Sequence, residues 1–346
     1  MTLDIAAILL QDGIANGAIY ILLAVVLVLV FTVTRIVFIP QGDLVAFSAL
    51  TLAGFETGTV PGTVWILVCG AALALALELV PAVTQRSFGL ARRPLIEFGL
   101  LPMAIVLVSV LCVPRESPLL WKMAVTSALI TCLAPVLYRI AFQPIAAASP
   151  LILLIAAIAA HIGLNSIGLH VFGAEGVRTS GFSGAPFMIL GVTFTQQSVG
   201  VIACSLALVA ALLVFFSRAL RGKALLAAAY NRRGAEIVGI STVSAGRTAF
   251  IVAGFVGAVS GLLIGPMTTL YYDSGFILGL KGFVGAIIGG LAVYPLAAAG
   301  AVLVGIIEAF ASFWASAYRD VIVFTLIIPV LFWRSLASAQ FEEEAE

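Results

Sequence analysis

Few side chains in this sequence are equipped for chemistry, and those that are stand inside apolar stretches: Asp43, Glu78, His161, His170, Lys281 and Glu308. An ionisable group at membrane depth is expensive unless paired or hydrated, so each marks a helix-to-helix contact or a route for an ion or solute. Asp43 follows Pro40, Gln41 and Gly42 in FIPQGDLVAFSAL, where it either caps the helix that starts there or faces a pathway. Lys281 lies among the six glycines of GFILGLKGFVGAIIGGL, and its long stem lets the charge snorkel to an interface. Glu308 stands in mid-span, paired with a neighbouring helix or lining a route. Glu78, close to Pro81, reads as reaching the interface. His161 has no acid four residues to either side and reads as a helix-to-helix hydrogen bond rather than a proton relay. His170 reads as interfacial.

No Ser/His/Asp set, His/Cys cluster or paired intramembrane carboxylates occur at useful spacing, which argues against an enzyme. The four cysteines (Cys69, Cys112, Cys132, Cys204) fall one to an apolar run without metal-like spacing, so no metal site is expected and they read as small core or lipid-facing residues.

The elements that must position these groups are membrane helices. The chain has 346 residues, 62% of them hydrophobic and only 10% charged, and its mean hydropathy is +1.22. A soluble domain of this size does not need so much apolar material, whereas repeated runs of about 20 apolar residues fit a bilayer. The fold class is therefore all-α, a polytopic helical membrane protein. The net charge of +1 gives no reason to expect nucleic acid. The N-terminus lacks a basic leader region and reads directly as a first span.

Taken in order, spans are expected near 8–34, 44–58, 64–83, 95–113, 119–139, 151–172, 199–217, 248–270, 275–291, 296–316 and 321–333. That gives about eleven segments, the second and ninth short. Pro40 to Asp43 form either an interfacial turn or a broken helix lining a pathway, since irregular backbone at membrane depth must be satisfied by protein or a cavity. The stretch Gly173–Ser198 reads as a long outer loop, PRESP as an outer turn, and FEEEAE as a disordered tail.

Between the seventh and eighth spans lies a polar island, Arg218–Arg247, which holds Arg218, Arg221, Lys223, Arg232, Arg233 and Arg247. Basic residues flanking apolar spans mark the cytoplasmic side. Alternating from there puts the N-terminus outside and the C-terminus inside, with Arg35, Arg92, Arg93, Arg139 and Arg334 all falling inside. Residues Gly222–Ile240 read as one short helix stopped at Gly239. It is either a docking surface or a connector that only fixes topology.

The island GKALLAAAYNRRGAEIVGI resembles a loop of the permeases of branched-chain amino acid ABC importers, of the LivH type. Gly222, Lys223, Ala224, Leu225, Ala227, Ala229, Asn231, Ala235, Gly239 and Ile240 match its pattern, while Leu226 stands where an Arg is common. FIPQGDLVAF is similar to the family's Q-G-D stretch through Phe38, Gln41, Gly42 and Asp43. GLKGFVGAIIGGL keeps Gly279, Leu280, Lys281, Phe283, Ala286, Gly289, Gly290 and Leu291, and Gly305, Glu308 and Asp320 match further on. The likeness runs through nearly the whole chain, residues 1–346, as a single permease domain. The exception is about 85–121, which resembles an inserted span pair.

The resemblance implies a subunit that does no chemistry itself. Two cytoplasmic ATP-binding subunits would engage a coupling helix carrying Gly222, Lys223, Ala224, Ala227, Asn231, Ala235 and Gly239, with ATP bound only on those partners. A second, LivM-type permease and an extracytoplasmic solute-binding protein would complete an importer in the bacterial inner membrane, in contact with lipid. Gln41, Gly42, Asp43, Lys281 and Glu308 would be candidates for the translocation pathway. A competing reading is an ion-coupled secondary transporter using a broken helix with Asp43 and Glu308 as its titrating acids.

Overall fold

The computed structural model describes residues 3–84, 94–111, 117–181, 187–189 and 192–332. The basic stretch around Arg92, most of PRESP and the acidic tail lie outside the described residues. In chain order the helices are α1 (Leu3–Thr34), α2 (Gln41–Thr57), α3 (Gly62–Thr84), α4 (Leu95–Leu111), α5 (Leu119–Leu137), α6 (Pro150–Phe172) and α7 (Gln196–Arg218). They continue with α8 (Leu220–Tyr230), α9 (Arg232–Ile237), α10 (Thr242–Ile264), α11 (Ser274–Ile288), α12 (Tyr294–Trp314) and α13 (Arg319–Thr325), then a helical stretch over 327–332. Among the described residues seven helices are long and apolar enough to cross a membrane, and α4 and α11 are shorter apolar helices. Together with α2 and the last helical stretch they account for the eleven expected segments. The expected loop Gly173–Ser198 is not without structure: it carries a hairpin, β1 (Phe187–Ile189) antiparallel to β2 (Val192–Phe194).

The chain forms two compact units, one of residues 1–28, 182–211 and 280–346, the other of 29–181 and 212–279. In the second, α2 is buried along almost its whole length and packs with α5 and α10. Small residues set the spacing. A side chain at Gly261 would run into the Val45 carbonyl and the Ser48 side chain, and one at Gly254 would come within 2.6 Å of Ala134 Cβ. With that approach available, Ser48 Oγ donates to the Ala258 carbonyl at 2.7 Å and Gln41 Nε2 to the Ala253 carbonyl at 3.1 Å. Contacts of this kind replace the hydrophobic drive that is missing between helices in lipid. Phe38, Tyr138, Phe142 and Phe250 close one end, with the Phe38 and Phe250 rings 4.6 Å apart and the Tyr138 and Phe250 rings 4.7 Å apart.

In the other unit the N-terminal part of α1 meets α12 through glycine. Cβ atoms at Gly13 and Gly17 would lie 2.7 Å from Ile306 Cα and 2.9 Å from Val302 Cα. Gly285 of α11 and Gly289 just past its end stand equally close to Ala301 and Ala297. The sharp turn after α11 puts Gly290 and Leu291 at φ of +65° and +56°, and the Leu291 amide donates back to the Ala286 carbonyl at 2.9 Å.

Substituting Gly261→Ala overpacks the α2–α10 contact, a change that typically costs about 1–3 kcal/mol. Thermal unfolding in detergent should show a lowered midpoint. Gly163→Ala, where a Cβ meets nothing within 4 Å, should leave it unchanged.

Candidate functional site

The break between α1 and α2 begins at Arg35, which takes a φ of +60°, a left-handed conformation that a helix cannot continue. The chain then runs to Pro40, and α2 starts at Gln41. Asp43 does not cap this helix: Pro40 holds the cap position with no side-chain bond. Its carboxylate turns instead to α6, where His161 donates from Nδ1 to Oδ2 at 2.8 Å. Asp43 is 1% exposed, and its other oxygen has no protein partner. The His161 ring stacks on Phe276 at 4.9 Å. His161 thus makes a helix-to-helix bond, with an acid 118 residues away in sequence rather than one on its own helix. Gly42 lies against the backbone of Gly275 and Gly279, and a Cβ there would collide with the Gly275 carbonyl.

In the other unit Lys281 does not snorkel. It is 3% exposed, and its Nζ donates to Glu308 Oε1 at 2.5 Å and lies 3.1 Å from Asp320 Oδ1. Tyr20 donates from its hydroxyl to Glu308 Oε2 at 2.6 Å, and Arg319 Nε is 3.8 Å from Oε1. Two cations and two carboxylates therefore neutralise one another, which is how charge survives in a low-dielectric interior. Asp320 stands in the connector ahead of the last apolar stretch. Partial burial works against its carboxylate, yet the charges of Lys281 and Arg319 outweigh that and hold its pKa below the ordinary value.

The polar island folds as two helices, not one. Asn231 breaks them with an extended backbone (φ −148°, ψ 96°), and its side chain accepts from the Gly234 amide at 2.9 Å, capping α9. Gly239, at φ +85°, ends α9, with the Gly239 and Ile240 amides donating to the Glu236 and Ala235 carbonyls, a standard way to close a helix. A Cβ at Gly222 would collide with the Phe215 carbonyl, so glycine permits the tight entry into α8. Gly222, Leu225, Ala228 and Ala235 are buried, while Lys223, Asn231 and Gly239 are exposed and Ala224 and Ala227 half-buried. The opposite side carries Leu220, Tyr230, Ile237 and Val238, exposed by 85%, 90%, 85% and 74%.

Glu78, expected at an interface, lies in a charged cluster. Arg139 Nε donates to its Oε1 at 2.7 Å, and Arg247 Nη2 is 3.3 Å from the same atom. Sequence reasoning missed the partners, namely His161 for Asp43, Tyr20 for Glu308 and Arg247 for Glu78. The one available signal was that a buried charge demands an opposite one nearby.

Multiple apolar helices, broken locally and stitched by buried ion pairs, define a multi-spanning membrane protein with a structured polar loop. The chain belongs to the family described as branched-chain amino acid transport system / permease component, whose family model it matches over residues 9–331. It is 32% identical over 201 residues to the high-affinity branched-chain amino acid transport system permease protein LivH of Salmonella typhimurium, covering 56% of this chain and 65% of that protein. The LivH of Escherichia coli K12 gives the same identity and coverage. The corresponding protein BraD of Pseudomonas aeruginosa is 29% identical over 203 residues, 57% of this chain and 66% of the relative. The chain thus spans a little under two thirds of the length of these relatives.

Lys281→Met leaves Glu308 buried beside Tyr20 with its main counter-charge gone, a loss of about 3–5 kcal/mol for a broken buried pair. Lys281→Met with Glu308→Gln should recover a large part of that loss. Folded yield by size-exclusion chromatography and the unfolding midpoint both read the difference. Equal damage in the single and double variants contradicts the pairing.

Proposed function

We propose that this chain is the membrane permease subunit of an ATP-driven importer of branched-chain amino acids or similar small polar solutes, in the bacterial inner membrane. Two cytoplasmic ATP-binding subunits dock on α8 and α9, a second LivM-type permease pairs with the chain, and an extracytoplasmic binding protein delivers solute. The chain binds no cofactor itself and hydrolyses no ATP. The observation that carries this reading is the pair of short helices in the island. They are seated by Leu225, Ala228 and Ala235 yet leave Leu220, Tyr230, Ile237 and Val238 in the open among Arg218, Arg221, Arg232 and Arg233. A charge-flanked loop belongs in water, and large apolar side chains left exposed there mark a docking surface for another protein. ATP binding can drive such a permease only if its partners hold the loop differently in two states.

The reading is tested by solute uptake into proteoliposomes carrying the co-purified complex. Uptake should require ATP inside, and Tyr230→Ala with Ile237→Ala should reduce it at least about ten-fold, as for loss of an interface anchor, without lowering the amount of folded chain. Uptake that ignores ATP, follows an imposed proton or sodium gradient and is lost in Asp43→Asn would establish the secondary-transporter reading instead.

A further inference from the structure

The charged cluster around Arg247 brings together four helices from distant parts of the sequence. Arg247 lies in the second turn of α10, directly after the polar island. Its guanidinium donates from Nη1 to Glu97 of α4 and from Nη2 to Glu78 of α3. Arg139, at the end of α5, completes the group through Glu78 and the Leu77 carbonyl, the latter at 3.0 Å. The Arg247 guanidinium also stands over the ring of Phe98, 5.0 Å from its centre, and Phe98 is 2% exposed. Among the described residues two arginines and two glutamates thus meet, and every one of these side chains is at least two-thirds buried.

The backbone is shaped for these contacts. Glu97 and Phe98 lie in a π-helical turn, Leu95–Leu100, and Arg139 lies in another, Tyr138–Phe142. Such wide turns are uncommon and redirect side chains that a regular helix would aim elsewhere. Glu97 also falls in the first turn of its helix, where a negative charge is favoured by the helix dipole.

On its other side α10 is tied to the island. Thr242 Oγ1 donates to Glu236 Oε1 of α9 at 3.0 Å, and Ser241 caps α10 by accepting from the Ser244 amide at 3.3 Å. A side chain at Gly246 would press on the Tyr138 ring, so the base of α10 has little room to shift. Glu236 and Thr242 thus link α9 to the first turn of α10, and the next turn carries Arg247 against Glu97 and Phe98.

We propose that α4 is a strut, with Glu97 and Phe98 acting through Arg247 as positioning residues that hold the base of the α8–α9 loop. Both residues lie in the stretch, about 85–121, that the resemblance sets apart as an inserted span pair. That the strut restrains the loop stands on geometry alone; that it tunes coupling to ATP rests on the function proposed above.

Limited trypsin digestion of the purified full-length chain reads the restraint, because Arg218, Arg221, Lys223, Arg232 and Arg233 all lie in the loop. Glu97→Gln should speed cleavage there roughly five-fold or more, as expected when a charge-assisted contact holding a local structure is lost. In an Arg247→Gln background the same substitution should have a clearly smaller effect, because part of it runs through that guanidinium. Should Glu97→Gln fail to accumulate, Phe98→Leu gives the same readout while keeping the charges. Unchanged cleavage, or a full additional effect in the Arg247→Gln background, overturns the strut. In the assembled complex Glu97→Gln should also lower solute moved per ATP. Faster cleavage with unchanged stoichiometry would overturn only the link to coupling, and the digestion, which needs no partner, stays decisive if no ATP-binding subunit is found.

Discussion

A charge inside an apolar protein has to be neutralised by another charge, and that constraint organises this structure. Removing an ion from water costs several kcal/mol even after relaxation, so isolated charges at membrane depth do not persist. Lys281 meets Glu308 and Asp320, and Glu78 and Glu97 meet Arg139 and Arg247, each on a different helix, while Asp43 is held by a hydrogen bond from His161. Because the partners come from distant segments, each pair also fixes which helices are neighbours. Glycine supplies the second half of the arrangement by letting backbones approach closely enough for those short contacts to form.

Much of the fold was legible in the sequence, for a plain reason. Hydropathy over about 20 residues reports bilayer thickness directly, so the seven long spans could be located, and Pro40 flagged the break ahead of α2. The pairings were not legible, because partners such as Asp43 and His161 lie 118 residues apart and nothing local links them. Local rules also missed Asn231. Its neighbours favour helix on both sides, but its side chain competes for the Gly234 amide and turns one expected helix into two. Of the two roles open to Asp43, capping the helix after Pro40 or facing a pathway, the cap is not the one taken, and its carboxylate meets His161 instead. Lys281 looked free to snorkel only because Glu308 and Asp320 are remote in sequence.

The two candidate groups differ in what they offer a transport cycle. The Lys281 cluster is fully compensated, with Tyr20 using the remaining Glu308 oxygen, so it holds α11 to α12 and to the start of α1. The Asp43 pair keeps one carboxylate oxygen without a protein partner and sits at an interrupted backbone, the place where membrane proteins tolerate irregularity in exchange for function. The polar island has a third character: its helices are seated by small residues and display large ones. Its basic residues Arg218, Arg221, Lys223 and Arg233 stay exposed rather than buried.

Gentle solubilisation followed by native mass spectrometry tests most directly the proposal that this chain works as one subunit among others. The mass should correspond to this chain with a second permease and two ATP-binding subunits. Recovery of the chain alone, active in uptake without any ATP-binding partner, would contradict it.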